Sequence, residues 1–357
     1  MKKAYFSKKV VEWYHEYYRD LPWRNTQDPY KIWLSEIILQ QTRVIQGLPY
    51  YKKFIQHYPN INSLAQAKPR EVLRMWQGLG YYTRARNLWK CARKVATEFH
   101  GKFPTTFREL KSLPGIGDYT AAAIASIAFH EPVAVLDGNV YRVLSRIFGA
   151  YQNIAATEGK KFFGELANSL IPIDKPGDYN QAVMEFGALH CLPYRPKCEA
   201  CIFKRDCFAY QHEQQNVLPV KIRTKKITRR HFYYFLFRNG NKILMTERKG
   251  KDIWEGLFDF PLHEEKSPSN PERILRKILG VKGDSRKQLK YQISKVYKHI
   301  LTHQTILARF IEIDWPAEKL LPSLPAFTNI KAYSHKQLEK LPKAVLITRF
   351  LEDRGIL

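Results

Sequence analysis

No run of about 18 apolar residues occurs in the chain, so no helical membrane span is expected. The opening stretch, MKKAYFSKKVVEWYHEYY, lacks an apolar h-region and a small-residue cleavage site. It reads as a first helix with Ser7 as N-cap, in a cytoplasmic protein. Internal repeats and low-complexity tracts are also missing. Cysteine is scarce, with five in 357 residues, and a cytoplasmic setting argues against stable disulfides. Acidic residues are scarce relative to basic ones: 33 against 59, a net charge of +26. Such an excess points to a polyanionic partner, most often nucleic acid.

What is present is an ordinary globular composition, 45% hydrophobic and 13% aromatic. The length suggests two domains of about 150 residues, each able to bury a core without staples. Residues 1–212 read as helical: apolar residues recur at helical spacing, turn signals such as HYPN and LPGIG separate the segments, and β-branched alternation is scarce. TAAAIASIAF (120–129) is a small-residue helix expected deep in the fold. Residues 213–229 are polar and basic, the mark of a linker. From 230 to 357, strand patterns (HFYYFLF, KILMTER, TILARFIEI) alternate with amphipathic helices (PERILRKILG, SHKQLEKLPKAVLITRFLE), an α+β domain.

Four of the five cysteines, Cys191, Cys198, Cys201 and Cys207, fall in CLPYRPKCEACIFKRDC with C-x6-C-x2-C-x5-C spacing. Unrelated core thiols would not gather so closely. Zinc favours two short C-x2-4-C knuckles, and only one pair here is that close. Four thiolates around a wider loop suit a [4Fe–4S] cluster better, with zinc remaining the alternative. Cys91, alone on a helix, reads as a small buried apolar residue.

In LPGIGDYTAAAI, Gly115 and Gly117 allow a tight turn whose backbone N–H groups precede a helix, an arrangement suited to a phosphate. In VLDGNVYRVLSR, Asp137 is a good N-cap. In WLSEIILQQT, Glu36 lies among apolar residues, and an apolar setting would raise its pKa. A neutral acid and an ionised carboxylate are the working pair of glycosidic cleavage. Applied to a nucleoside, Glu36 would protonate the departing base and Asp137 would face the sugar.

SEIILQQT, GLGYYTRARNL, LPGIGDYTA, VLDGNVYRVLSR, YNQAVMEFGALHC and the cysteine loop, in this order, resemble the adenine DNA glycosylase (MutY-type) family of the helix-hairpin-helix, endonuclease III superfamily. The resemblance implies an all-α helix-hairpin-helix glycosylase domain with an iron–sulfur loop, plus an α+β Nudix-like C-terminal domain. It implies a monomeric, nucleoid-associated repair enzyme that flips adenine mispaired with 8-oxoguanine or guanine out of duplex DNA and excises it. Glu36 would be the acid at adenine N7 and help deliver water, Asp137 would stabilise the sugar intermediate, and Tyr119 and Asn139 would support the reacting centre. Arg24, Gln181 or Glu185 would line the adenine side; Gln41, with Thr42 beside it, and Tyr81 would wedge into the base stack. The four cysteines would hold a structural [4Fe–4S] cluster, with Arg195, Lys197, Lys204 and Arg205 facing phosphates.

An endonuclease III-like glycosylase/AP lyase is the runner-up. That relative carries a Schiff-base lysine in its hairpin helix. Here the place is taken by Tyr119, which cannot form one. In the second domain, RILRKILGV (273–281) overlays the Nudix box, but its metal-binding glutamates would fall at Ile274, Lys277 and Ile278. Nucleotide hydrolysis is therefore not expected. IWEGLFDFP resembles a signature of the family's C-terminal domain. Leu301, Thr302 and His303 take the place of the relatives' lesion-reading F-S-H, keeping a hydroxyl and losing an aromatic ring. The linker is expected to let this domain reach the opposite strand, so that the enzyme encircles the duplex.

Overall fold

The computed structural model describes residues 3–222, 227–250, 252–280, 290–315 and 329–357. Arg223–Lys226 of the sequence-defined linker and Val281 of the Nudix overlay lie outside the described residues. The chain forms two compact units: Met1–Gln66 with Asn87–Thr224, and Ala67–Arg86 with Lys225–Leu357. No described helix is long and apolar enough to cross a membrane.

The first unit is helical. It contains α1 (Lys3–Tyr17), α2 (Pro29–Leu39), α3 (Val44–His57) and α4 (Ile61–Gln66). The chain then leaves through α5 (Pro69–Met75) and returns along α6 (Thr83–Glu98). There follow α7 (Phe107–Leu110), α8 (Asp118–Phe129), α9 (Gly138–Phe148), α10 (Thr157–Asn168), α11 (Pro176–Leu189) and α12 (Phe208–Gln211). The central helices lack a polar face. In α8 every residue from Thr120 to Ser126 is buried, as the small side chains suggest. Ser7 does not cap α1. The helix begins at Lys3, and the buried Ser7 hydroxyl donates to the Leu170 carbonyl instead.

Helix α9 is the organising element of this unit. Its amphipathic stripe buries Val140, Val143, Leu144 and Ile147, but also Arg142 and Arg146. Arg142 donates from Nε to the Cys191 carbonyl (2.7 Å) and from Nη2 to the Gly187 carbonyl (2.7 Å). Arg146 reaches the carbonyls of Leu192 (2.7 Å), Pro193 (3.3 Å), Gln215 (2.6 Å) and Leu218 (3.1 Å). One guanidinium thus fastens both the cysteine loop and the start of the polar segment. The segment is held again farther on: Ile154 N donates to the Val220 carbonyl, and Ile222 N to Asn153 Oδ1. Residues 213–222 are therefore bound to the helical unit and are not a free tether.

The second unit is built on an eight-stranded mixed sheet with the order β3-β2-β1-β7-β5 along its main path. Its long strands β1 (Thr228–Asn239) and β7 (Gln304–Asp314) run parallel in continuous register, from Thr228↔Gln304 to Arg238↔Asp314. Around them lie β2 (Lys242–Glu247), β3 (Phe258–Asp259), β4 (Leu262–Glu265), β5 (Tyr291–Ile293), β6 (Tyr297–Ile300) and β8 (Lys331–Ser334). Helix α13 (Pro271–Leu279) covers one face, burying Ile274, Leu275 and Ile278 against Phe235, Phe237, Ile311 and Ile313. Two of the positions where a Nudix hydrolase would carry metal-binding glutamates are thus core. The α5 segment packs in this unit: the Arg70 guanidinium lies 4.7 Å from the Phe258 ring centroid, and Tyr82 Oη donates to the Lys343 carbonyl (3.0 Å).

Arg146→Met should cost roughly 3–5 kcal/mol, because it strands several buried carbonyls at once. Urea unfolding measures that loss, and limited proteolysis should show new cleavage between 191 and 218.

Candidate active site

Three carboxyl groups meet at one cavity of about 180 Å³ in the helical unit. An engineered apolar cavity of about 150 Å³ accepts benzene, so this one has room for a single flat heterocycle. Its wall includes Arg24, Glu36, Tyr119, Asp137, Asn139, Gln181 and Glu185. These are the residues expected at the reacting centre and on the base side, brought together from α2, α8, α9, α11 and the loop after α1.

Glu36 owes its state to α2. Pro29 opens this helix and the Asp28 side chain caps it by accepting from Tyr30 N (2.9 Å). The sequence is apolar around nearly the whole circumference, so Glu36 is carried inside with 9% exposure. Burial pushes its carboxyl up to about 7; the Tyr119 hydroxyl bonded to it opposes the rise, the neighbouring charge of Asp137 adds to it, and Arg24 opposes it. The group therefore carries a proton for much of the time at neutral pH. Tyr119 is fixed from the other side, its hydroxyl 3.2 Å from the Met184 sulfur.

Asp137 is both the N-cap of α9 and part of the cavity. Its Oδ1 accepts from Asn139 N (2.9 Å) and Val140 N (2.7 Å), and its Oδ2 accepts from Asn139 Nδ2 (2.7 Å). Burial raises its pKa, while these bonds and the nearby Arg142 favour the anion. Arg142 Nη2 also holds Asn139 Oδ1 at 2.8 Å, fixing the amide that holds the carboxylate.

Glu185 is a different kind of group. Arg24 grips it through Nη1 and Nη2 (2.8 and 2.6 Å), and Arg19 through Nε and Nη2 (2.7 and 2.6 Å). Burial works against its charge, but the Arg24 and Arg19 guanidiniums outweigh that and hold it at about 2. It is a permanent anion clamped by two cations, which anchors Arg24 beside the cavity. Gln181 accepts from Tyr14 Oη (3.2 Å).

The other expected residues lie apart from the cavity. Gln41, exposed and with φ 55°, stands just beyond α2, with Thr42 after it. Gly115 has φ 77°, and a Cβ there would come within 2.6 Å of Asn87 Cβ, so the turn requires glycine. Gly117 caps α8 without any side-chain hydrogen bond, and the space where its Cβ would point is open. In the second unit, Thr302 and His303 are exposed at the tip of the β6–β7 hairpin. The Thr302 hydroxyl lies 2.5 Å from the hydroxyl of Tyr81, which is 46% exposed with φ 49°.

All four clustered cysteines line one pocket, together with Arg146 and His190. Among the described residues no three potential ligands already converge on a single ion. A four-iron cluster makes a different demand, since each thiolate takes its own iron around a cube. The donor set is all sulfur, Arg146 Nη1 lies 3.4 Å from Cys191 Sγ, and Phe203 N lies 3.4 Å from Cys201 Sγ. His190 Nε2 is buried beside them with no hydrogen-bond partner among the described residues. The residues present fit an iron–sulfur cluster. Lys204, expected to face phosphates, is paired with Glu199 (2.6 Å), and Arg195, Lys197 and Arg205 are exposed.

Sequence reading overlooked Arg19, Arg142, Arg146 and Met184. The only available signal was two arginines four residues apart on an otherwise buried helical stripe.

A helical unit with a glycine hairpin, a pair of carboxyls in one cavity and a thiol loop is the arrangement expected of a base-excision glycosylase. Residues 34–168 match the HhH-GPD superfamily of base excision DNA repair proteins, and residues 233–353 match the NUDIX domain. The chain belongs to the adenine DNA glycosylase family. It is 38% identical over 262 residues to the adenine DNA glycosylase of Buchnera aphidicola subsp. Schizaphis graminum, covering 73% of this chain and 76% of the relative. It is 43% identical over 222 residues to that of Mus musculus, covering 60% of this chain and 43% of the relative. Among solved structures, a thermostable thymine-DNA glycosylase is similar with TM-score 0.54 at 31% identity, covering 59% of this chain and 97% of that one. A non-covalent endonuclease III–DNA complex, at 19% identity and TM-score 0.52, shares the fold over 60% of this chain and 99% of that one.

The raised Glu36 pKa has a stability consequence. The unfolded carboxyl ionises near 4.5 and the folded one near 7, so stability is lost as pH rises between those values. Glu36→Gln should therefore unfold at higher temperature than the parent at pH 8, by the equivalent of roughly 3 kcal/mol. The gap should close at pH 4, as read by calorimetry at the two pH values.

Proposed function

We propose that this enzyme excises adenine paired with 8-oxoguanine, or with guanine, from duplex DNA by acid-catalysed cleavage of the N-glycosidic bond, and leaves the strand uncut. The observation that carries this reading is the cavity itself: a carboxyl poised near neutrality beside a second carboxylate held by three hydrogen bonds.

In this mechanism the flipped adenine enters the cavity, since a stacked base cannot be reached in the duplex. Glu36 gives its proton to N7. The C1′–N9 bond breaks, and its electron pair goes to the base. The cationic sugar that remains faces the Asp137 carboxylate, which Asn139 and the α9 N-terminus keep in place. Water adds at C1′ and Glu36 takes back a proton. Tyr119 orients Glu36 through its hydroxyl. No lysine is among the residues lining the cavity, so the amine required for a Schiff base and strand scission is missing there.

The remaining expected sites support DNA engagement. The uncapped N–H groups at Gly117 suit a phosphate, Gln41 and Tyr81 have the exposed, strained backbone of stack wedges, and Thr302 offers a hydroxyl to the opposing base. The thiol loop is read as the holder of a [4Fe–4S] cluster, a group that would brace residues 191–207 and present Arg195, Lys197 and Arg205 to the backbone.

Single-turnover reactions on a duplex with adenine opposite 8-oxoguanine should give strand breaks only after hot alkali. Adenine opposite thymine should be spared, and Glu36→Gln should lower the rate by about 10²–10⁴-fold. Breaks without alkali would overturn the monofunctional reading. Protein purified without oxygen should carry about four irons and matching labile sulfide, with a broad visible absorption that Cys198→Ser diminishes. A colourless, zinc-containing preparation would refute the cluster.

A further inference from the structure

A second cavity abuts the first. It measures about 530 Å³ and shares Arg24, Ile127 and Gln181 with the base cavity. Beyond them it is bounded by the segment before α2 and by the ends of α8 and α11, and it reaches the surface at Gln27 and His130, both exposed. Its place in the fold is informative. The proposed DNA contacts Gln41 and Gly117 mark the C-terminal end of α2 and the N-terminal end of α8. Gln27 and His130 mark the opposite ends of the same two helices. The second cavity therefore opens at the end of the helix pair remote from the DNA anchors, behind the base cavity.

Its chemistry separates bases from nucleotides. Asp174 and Asp178 stand in its wall with Arg24 and Lys175, so in a chain of net charge +26 this lining is balanced and offers no surplus of cations to hold a phosphodiester. A free purine carries no phosphate and offers an amino group to such acceptors. The partition also has a fixed side and a movable one. Arg24 is locked by Glu185, whereas the Gln181 amide is retained by one 3.2 Å hydrogen bond from Tyr14.

We propose that this rear chamber is the exit for the excised base: free adenine leaves past Gln181 and Ile127 while the abasic strand still covers the front of the cavity. This rests on the reading of the enzyme as an adenine glycosylase. It adds that base release does not wait for the DNA product to dissociate.

The experiment uses full-length enzyme in excess over a duplex whose target adenine is radiolabelled. Cleavage is followed by alkali, and free adenine by rapid filtration through a membrane that retains the protein–DNA complex. In the parent enzyme, adenine should appear in the filtrate at the cleavage rate while the abasic strand stays on the filter. Gln27→Trp, which narrows the chamber at an exposed position remote from the reacting groups, should leave cleavage within twofold and slow the appearance of adenine at least tenfold. If parent adenine emerges only as the abasic strand dissociates, the base leaves by the front and the proposal is wrong. An unchanged release rate in Gln27→Trp would overturn it as well. Absence of cleavage by the parent enzyme would instead refute the glycosylase reading on which the proposal stands.

Discussion

Two buried arginines on one helix hold the helical unit together. A guanidinium cannot shed its charge, so once enclosed it must find carbonyls and carboxylates to accept its hydrogens. Arg142 and Arg146 find theirs at the end of α11, in the cysteine loop and in the polar stretch after α12. The same helix begins at Asp137. A displacement of the thiol loop would therefore be felt, through Arg142 and Asn139, at the Asp137 carboxylate. The loop and the reacting centre are connected by hydrogen bonds along a single rigid element.

The three carboxyls of the cavity show how environment divides labour among chemically similar groups. Glu36 has little compensation for its lost hydration and keeps its proton. Asp137 has two backbone N–H groups and an amide that work against the rise burial causes. Glu185 has two guanidiniums and is fully ionised. Three carboxyls with different partners thus share one cavity. The short range of these interactions is decisive, since burial alone would move all three in one direction.

Much of this was legible in the sequence, and the reasons are local. WLSEIIL announces a carboxyl inside an apolar helix because no face of that segment can turn to water. DGN marks a cap, and the capping carboxylate also lines the cavity. The four cysteines are conspicuous by spacing alone. Contacts whose partners are carbonyls left no trace, because a carbonyl is present at every position; Arg142 and Arg146 were missed for that reason. Ser7 was read as a cap from its surroundings, although its hydroxyl is satisfied by Leu170, 163 residues away. Nothing in the spacing of PREVLRM indicates that it packs with the sheet-containing unit.

Helix α13 gives a physical reason for two of the residues in the Nudix-box overlay. Ile274 and Ile278 do more than omit two metal ligands: they are part of the adhesive that seats the helix on the sheet. Returning carboxylates to those positions would drive unpaired charge into a hydrophobic interface, a penalty of several kcal/mol per group. The helix would lift before it could coordinate anything. Positions 274 and 278 are thus committed to the packing of the domain.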